Sequence, residues 1–278
     1  MLGQRVLTAV VLLALLLPSL ATDLVWPFAA LTLLLIAAAG WEWSRLNQLP
    51  GLRAWLSGAL LALVCGAAWA LGWTVHAPGW VWLMAVAVWV LGGAVALRGG
   101  PALWPQLPVA ARWALGMLAL WTAWLAIAHA KWVGLNFVLS VFCVVWVADI
   151  AAYFGGRMLG RHKLAPSISP GKTWEGVASG VFGVLMLALI WTSAEPWLAA
   201  TGPSIFGSLH MLYGVLGAAL ALAAIAGLSV VGDLIESLVK RAAGAKDSSR
   251  LLPGHGGVLD RVDALLPAFP LALALTGL

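Results

Sequence analysis

The sequence predicts an all-α fold: a polytopic transmembrane bundle of about nine membrane helices. Three observations carry that expectation. Of 278 residues, 63% are apolar and only 9% are charged, and the apolar residues fall in long uninterrupted blocks. When those blocks alternate across a membrane, a single basic residue of fifteen, Lys131, falls on the far side. A soluble domain carries about 25% charged residues, so this chain lacks the polar atoms to cover a water-facing surface.

The blocks cover residues 6–20, 24–43, 54–74, 79–98, 109–128, 132–155, 174–193, 209–231 and 264–278. Crossing a hydrocarbon core takes about 20 residues of helix. Helices are the economical spanning form, because in lipid each segment must satisfy its own backbone. A β-barrel would need shorter, alternating segments, and none is present. Many of the eighteen tryptophans lie near block ends, where indole rings favour the membrane interface. The first block, followed by Ser19-Leu20-Ala21, also has the form of a signal peptide with a small-residue cleavage site. The last block holds Pro267 and Pro270. At about 15 residues it reaches about 22 Å, short of a full crossing.

Orientation follows from the basic residues. With the N-terminus inside, Arg5, Arg45, Arg53, Arg98 and Arg112 are cytoplasmic, together with nine more in stretches 156–173 and 232–263. The net charge of +5 is spread over these membrane-flanking loops, so it is no nucleic-acid footprint. Cys65 and Cys143 lie inside apolar blocks and read as small core residues, not a disulfide framework or metal knuckle. Seven of ten acidic residues lie in or between the last four blocks on the inner side. The chain therefore divides into an N-terminal scaffold, 1–130, and a C-terminal catalytic part, 131–278, with its site at the cytoplasmic face.

Three polar constellations could do chemistry. In the first, Asp149, Tyr153 and Arg157 are spaced i, i+4, i+8 and would form one helical stripe. A carboxylate in a membrane helix costs about 2.5–3.5 kcal/mol, so it faces a partner or a wet cavity; the plain alternative is an Asp149–Arg157 pair. The second is the loop carrying Ser169, Lys172, Thr173 and Glu175. Ser169 before Pro170, or Thr173, would cap the next helix, leaving Lys172 and Thr173 at a helix N-terminus suited to phosphate. Gly-Lys-Thr is not a Walker loop: Pro166 stands where the first glycine belongs.

The third constellation runs from Asp233 to Asp263 and holds five residues of each sign. Asp233, Ser237 and Lys240 share a helical face, and Asp260 and Asp263 align at the start of the last block. Between them the Pro253-Gly-His255-Gly256-Gly257 turn brings an imidazole to a backbone that can approach an anion. Carboxylates from two helix ends suit Mg²⁺, whose shell phosphate oxygens complete. The flanking cations would neutralise the rest of a polyphosphate. A lipid-attracted basic loop would not need matched aspartates.

The run SLVKRAAGAKDSSRLLPGHGGVLDRVD, from Ser237 to Asp263, resembles the signature of the phosphatidate cytidylyltransferases, or CDP-diacylglycerol synthases. Ser237, Lys240, Arg241, Lys246, Asp247, His255, Gly256, Gly257, Asp260, Arg261 and Asp263 occupy its fixed positions. The run from Asp149 to Glu175 is similar to the family's other block. The motifs cover about a quarter of the chain. The resemblance implies that CTP and phosphatidic acid give CDP-diacylglycerol and pyrophosphate with Mg²⁺, one ion or two. It also implies a multi-pass enzyme of a bacterial-type inner membrane, a bilayer around it, and a homodimer as one assembly.

In that frame Asp233, Asp260 and Asp263 are the metal carboxylates, with Asp149 next, and Ser237 and Lys240 contact phosphate. Lys172, Arg241 and Lys246 bind the triphosphate or the lipid phosphate, and His255, Gly256 and Gly257 shape the phosphate turn. Tyr153, Arg157, Ser169, Thr173, Glu175, Asp247 and Arg261 are the remaining binding candidates. Rivals are a CTP-using enzyme acting on a polyprenol or another lipid phosphate, and an anion transporter built on intramembrane Asp149. Transporters favour polar or broken helices at mid-membrane in paired halves, whereas here the polar residues gather at one face.

Overall fold

The computed structural model describes residues 2–197 and 201–278, and every apolar block in them is helical. In chain order the helices are α1 (Leu2–Ala21), α2 (Trp26–Leu46), α3 (Leu52–Ala70), α4 (Gly79–Ala87) and α5 (Gly93–Leu103). They continue with α6 (Val109–Val133), α7 (Leu135–Leu159), α8 (Trp174–Ala194), α9 (Ile205–Ala242), the single turn α10 (Leu259–Val262) and α11 (Leu265–Thr276). A π-helical turn, Val88–Gly92, joins α4 to α5, so Gly79–Gln106 forms one span. Seven helical segments among the described residues are long and apolar enough to cross a membrane.

Burial sorts them. The central span, Val109–Val133, is 72% buried, whereas Trp174–Ala194 is only 11% buried and turns Phe182, Met186, Leu189 and Ile190 outward. For α8 that outward surface is an apolar solvent's side, since a helix apolar all round needs either a core or lipid. Its inner seam is small: Gly176, Gly180 and Gly183 meet Ala152, Ala148 and Ala151 of α7 at backbone distance. Small residues are the means by which membrane helices approach closely.

The last block behaves as its length requires. α11 has 12 residues, about 18 Å at 1.5 Å per residue, and cannot cross the core. It lies inside the bundle against α9, α6, α4 and α7, buried over nearly its whole length. Trp82 Nε1 donates to the Leu278 carbonyl at 3.1 Å, and Tyr213 Oη donates to the Leu275 carbonyl at 2.7 Å.

The first block is tied in at both ends. Thr8 Oγ1 donates to the Pro253 carbonyl at 2.9 Å. Lys131 Nζ donates to the carbonyls of Leu20 and Thr22 at 2.7 and 2.8 Å. The one basic residue that broke the charge bias thus answers the exposed carbonyl end of α1, where a cation is favoured.

The other basic loops gather at the opposite end. The Arg45–Pro50 turn borders residues 243–250, Gly100 lies against Ser167, and Arg112 Nη2 donates to Gln48 Oε1 at 3.3 Å. Between α7 and α8 the expected loop contains a two-stranded antiparallel hairpin, β1 (Lys163–Ala165) and β2 (Ser169–Thr173). Its turn closes by Ile168 N–H donating to the Ala165 carbonyl at 3.1 Å, with Pro166 where its fixed φ suits the first turn position. Ile168 is buried and anchors the tip.

Candidate active site

Of the two caps the sequence offered for α8, Thr173 is the one formed: its Oγ1 accepts from Gly176 N at 3.1 Å. Ser169 and Pro170 belong to β2 instead, and the hairpin presents Lys172 from a strand end to the helices beside it. Glu175, in the first turn of α8, accepts from the Arg161 and His162 N–H groups and lies 2.5 Å from His162 Nδ1. It fastens the start of the loop to the helix.

An open cavity brings together Asp149, Tyr153 and Arg157 from α7, Ser169, Lys172 and Thr173 from β2, and Asp233 from α9. The i, i+4, i+8 stripe faces this cavity as expected. Asp149 is not paired with Arg157; the guanidinium instead donates to Tyr153 Oη at 3.2 Å. Lys172 Nζ lies 2.5 Å from Asp233 Oδ2, and Ser237 Oγ donates to Asp233 Oδ1 at 3.3 Å.

Asp263 closes the approach from the C-terminal side. A Cβ on Gly232 would strike the Asp263 carbonyl and Pro267, so glycine lets the start of α11 touch α9 one residue from Asp233. Burial, and then the Asp233 carboxylate beside it, push the Asp263 carboxyl up to about 7. Asp149 adds to the same repulsion.

A second cluster lies one layer away. Lys240 Nζ stands 2.5 Å from Glu236 Oε2 and 2.7 Å from Asp260 Oδ1. Asp260 Oδ2 accepts from Ser248 N and Oγ at 2.9 and 2.8 Å and from Gly257 N at 2.7 Å. Burial works against that charge, yet bonds from Lys240 and the Gly257 and Ser248 N–H groups help hold Asp260 well below the usual carboxylate range.

A third group faces another opening, where Lys246 and Asp247 join Arg45 and Arg250. His255 offers its carbonyl to Arg261 Nε at 2.9 Å, and the turn closes by Leu252 N–H donating to the Gly256 carbonyl at 2.8 Å. Gly256 has a φ of 87°, a left-handed conformation that glycine adopts freely. Gly257 is needed for room: a Cβ there would run into the Glu42 carboxylate and the Ser248 hydroxyl. Arg241 is exposed at the end of α9.

Glu42 is the residue that sequence reasoning passed over. It belongs to the half read as scaffold, yet it is fully buried and accepts three hydrogen bonds from the polar loop, from Ser249 Oγ and the Val258 and Leu259 N–H groups. A carboxylate within an apolar block was the available signal.

Among the described residues, no three His, Cys, Asp or Glu side chains already stand as a ligating group. Asp149 and Asp233 line one cavity with Lys172, whose Nζ lies 2.5 Å from Asp233 Oδ2, and Asp263 is near enough to both aspartates to feel their charge. Excess negative charge on an all-oxygen donor set fits a hard divalent cation. Asp260 is differently placed, with Oδ2 bonded three times and Oδ1 on Lys240.

The helical bundle thus gathers carboxylates, lysines and a glycine turn at one end. The model of the Cytidylyltransferase family matches residues 3–278, and the chain belongs to that family. It is 38% identical to a phosphatidate cytidylyltransferase of Pseudomonas aeruginosa, over 99% of this chain and 97% of the relative. A Haemophilus influenzae protein of the same name is 46% identical over 51% of this chain and 46% of its own. A Brucella melitensis one is 47% identical over 49% and 44%. Family membership makes the chain a nucleotidyltransferase.

Proposed function

We propose that the protein transfers CMP from CTP to phosphatidic acid, giving CDP-diacylglycerol and pyrophosphate. The observation that carries this is the convergence of Asp149, Lys172 and Asp233, from three separate helices and strands, on one cavity at the basic end of the bundle. The family and the full-length similarity to a protein named for that reaction support it.

The chemistry asks for positioning and charge neutralisation. A phosphatidate oxygen attacks the α-phosphorus of CTP in line, one P–O bond forms, and the bond to the β-phosphate breaks as pyrophosphate leaves. The nucleophile is already ionised at neutral pH, so no side chain must remove a proton. Lys172 and Lys240 would meet phosphate oxygens, exchanging carboxylate partners for substrate. Lys246 and Arg241 would hold the triphosphate or the lipid phosphate, and the Gly256–Gly257 turn would shape their approach. Ser237, on the face of α9 that carries Asp233 and Lys240, would donate to phosphate.

Asp233 and Asp263, with Asp149 beside them, would hold Mg²⁺, and Asp260 would join through Oδ1 once Lys240 turns to substrate. Bound there, the ion would offset charge on the leaving and attacked phosphates. The basic end faces the cytoplasm on the charge bias, which lets a soluble nucleotide meet a bilayer lipid. Residues 1–130 then serve mainly as framework and 131–278 carry the chemistry, in an inner membrane and with a homodimer as the assembly to test.

Pyrophosphate release by the purified, detergent-solubilised protein tests the reading, with Asp260→Asn alongside. Release that needs CTP, phosphatidic acid and Mg²⁺ together, and that is lost in the variant, is the expected result. No release from folded wild-type protein in active lipid–detergent mixtures overturns it and favours another lipid phosphate as acceptor.

A further inference from the structure

Glu42 sits in the last turn of α2 with 0% exposure. Its Oε1 accepts from Ser249 Oγ at 2.6 Å and Val258 N at 2.9 Å, and its Oε2 accepts from Leu259 N at 2.7 Å. Ser248 Oγ lies 3.2 Å from the same Oε2. None of the salt bridges among the described residues involves Glu42.

A buried, unpaired carboxylate costs several kcal/mol unless hydrogen bonds replace its water. Here the replacement comes wholly from the loop, some 206–217 residues away in sequence. Three consecutive N–H groups are involved: Gly257 points at Asp260, while Val258 and Leu259 point at Glu42. Ser248 touches both carboxylates, and its shorter contact, 2.8 Å against 3.2 Å, directs its single proton to Asp260. One turn of backbone is thus held by two carboxylates, Asp260 of the turn itself and Glu42 of α2.

The grip is anchored. Trp43 Nε1 donates to the Arg112 carbonyl at 3.0 Å, and Trp104 Nε1 donates to Asn47 Oδ1 at 2.9 Å, which fixes the end of α2 to its neighbours. Sites work when side chains around the reacting groups are themselves held by a rigid element.

We propose that Glu42 is a positioning residue: it fixes the Ser248–Asp260 turn, and through it the Asp260–Lys240 pair, in the arrangement that transfer requires. This rests on the function proposed above. Glu42→Gln keeps the shape but turns an NH₂ toward N–H and O–H donors.

The test compares full-length wild type with Glu42→Gln in detergent, using three readouts. These are CTP-binding stoichiometry at saturation, turnover per CTP-binding site, and amide exchange over residues 257–260. Outer partners of this kind typically contribute about 10–100-fold in activity, and a loss of that size per binding site is expected. Stoichiometry should hold, and the Val258 and Leu259 amides should exchange faster. Turnover per site equal to wild type overturns the proposal. So does a loss that merely tracks the fraction able to bind CTP, or unchanged exchange at those amides. The exchange arm decides even if phosphatidate proves the wrong acceptor. Should Glu42→Gln fail to fold, Ser249→Ala removes one donor and is expected to lower turnover in the same direction by less; no loss there overturns the proposal.

Discussion

Adding one methyl group at Gly257 is the sharpest perturbation the site offers. An alanine Cβ there would occupy the space of the Glu42 carboxylate and the Ser248 hydroxyl. Overpacking a filled interior costs about 1–3 kcal/mol. Displacing a charged hydrogen bond of the turn adds about 1.5–3 kcal/mol. Part of this sum appears as lost stability and part as a misplaced Asp260, since Gly257 N is one of that carboxylate's donors. If about 2.7 kcal/mol falls on the transition state, turnover drops about 100-fold.

Gly244→Ala is the matched control. Gly244 has a φ of 66°, but an added Cβ there meets nothing within 4 Å, so only the left-handed backbone cost of about 1–2 kcal/mol applies. Pyrophosphate release gives the rates, and thermal labelling of buried Cys65 by a thiol dye gives stability. Equal behaviour of the two variants, or wild-type turnover in Gly257→Ala, would refute the claim that the turn is clamped.

Three further outcomes are expected. Lys246→Ala should raise the apparent requirement for CTP or phosphatidate more than it slows turnover, because Lys246 is exposed beside Arg45 and Arg250 and away from the Asp233 cavity; unchanged requirements would remove it from substrate binding. Thr173→Ala should lower stability by about 1 kcal/mol through loss of the α8 cap, and Thr173→Ser should restore it, as read by the same thiol melt. Because burial and the neighbouring Asp233 charge push the Asp263 carboxyl up to about 7, part of it is protonated at neutral pH, and a ligating carboxylate must be ionised. Mg²⁺ binding should therefore release protons and weaken as pH falls; calorimetry in two buffers of different ionisation enthalpy reads the release, and the same release in Asp263→Asn would remove Asp263 from the ligand set.

The spans were legible because run length in lipid is a strong constraint; the C-terminal block, counted among the nine by its composition, was short enough to leave its crossing open, and its burial in the bundle decides against it. The α7 stripe was legible as well, since i, i+4, i+8 spacing is local geometry. Two things were not. The hairpin at Lys163–Thr173 depends on its buried Ile168 tip, a tertiary contact that loop composition does not encode. Glu42 was hidden by position: one acidic residue between Trp41 and Trp43 at a block end looks like an interfacial group. The rule that an intramembrane carboxylate marks a site was applied to Asp149 and applies equally to Glu42. Gly257 was read as flexibility, whereas the structure needs its missing side chain.

The buried α11 also bears on how such a molecule is made. Ribosomes deliver helices in order, and each earlier span can enter the bilayer on its own hydropathy. α11, too short to do so, finds its place only between helices already present, against α4, α6, α7 and α9. The carboxylates Asp260 and Asp263 lie just before it. Closure of this end of the bundle therefore waits until α4, α6, α7 and α9 are in place, so the turn that carries Asp260 and Asp263 is set by helices that precede it in the chain.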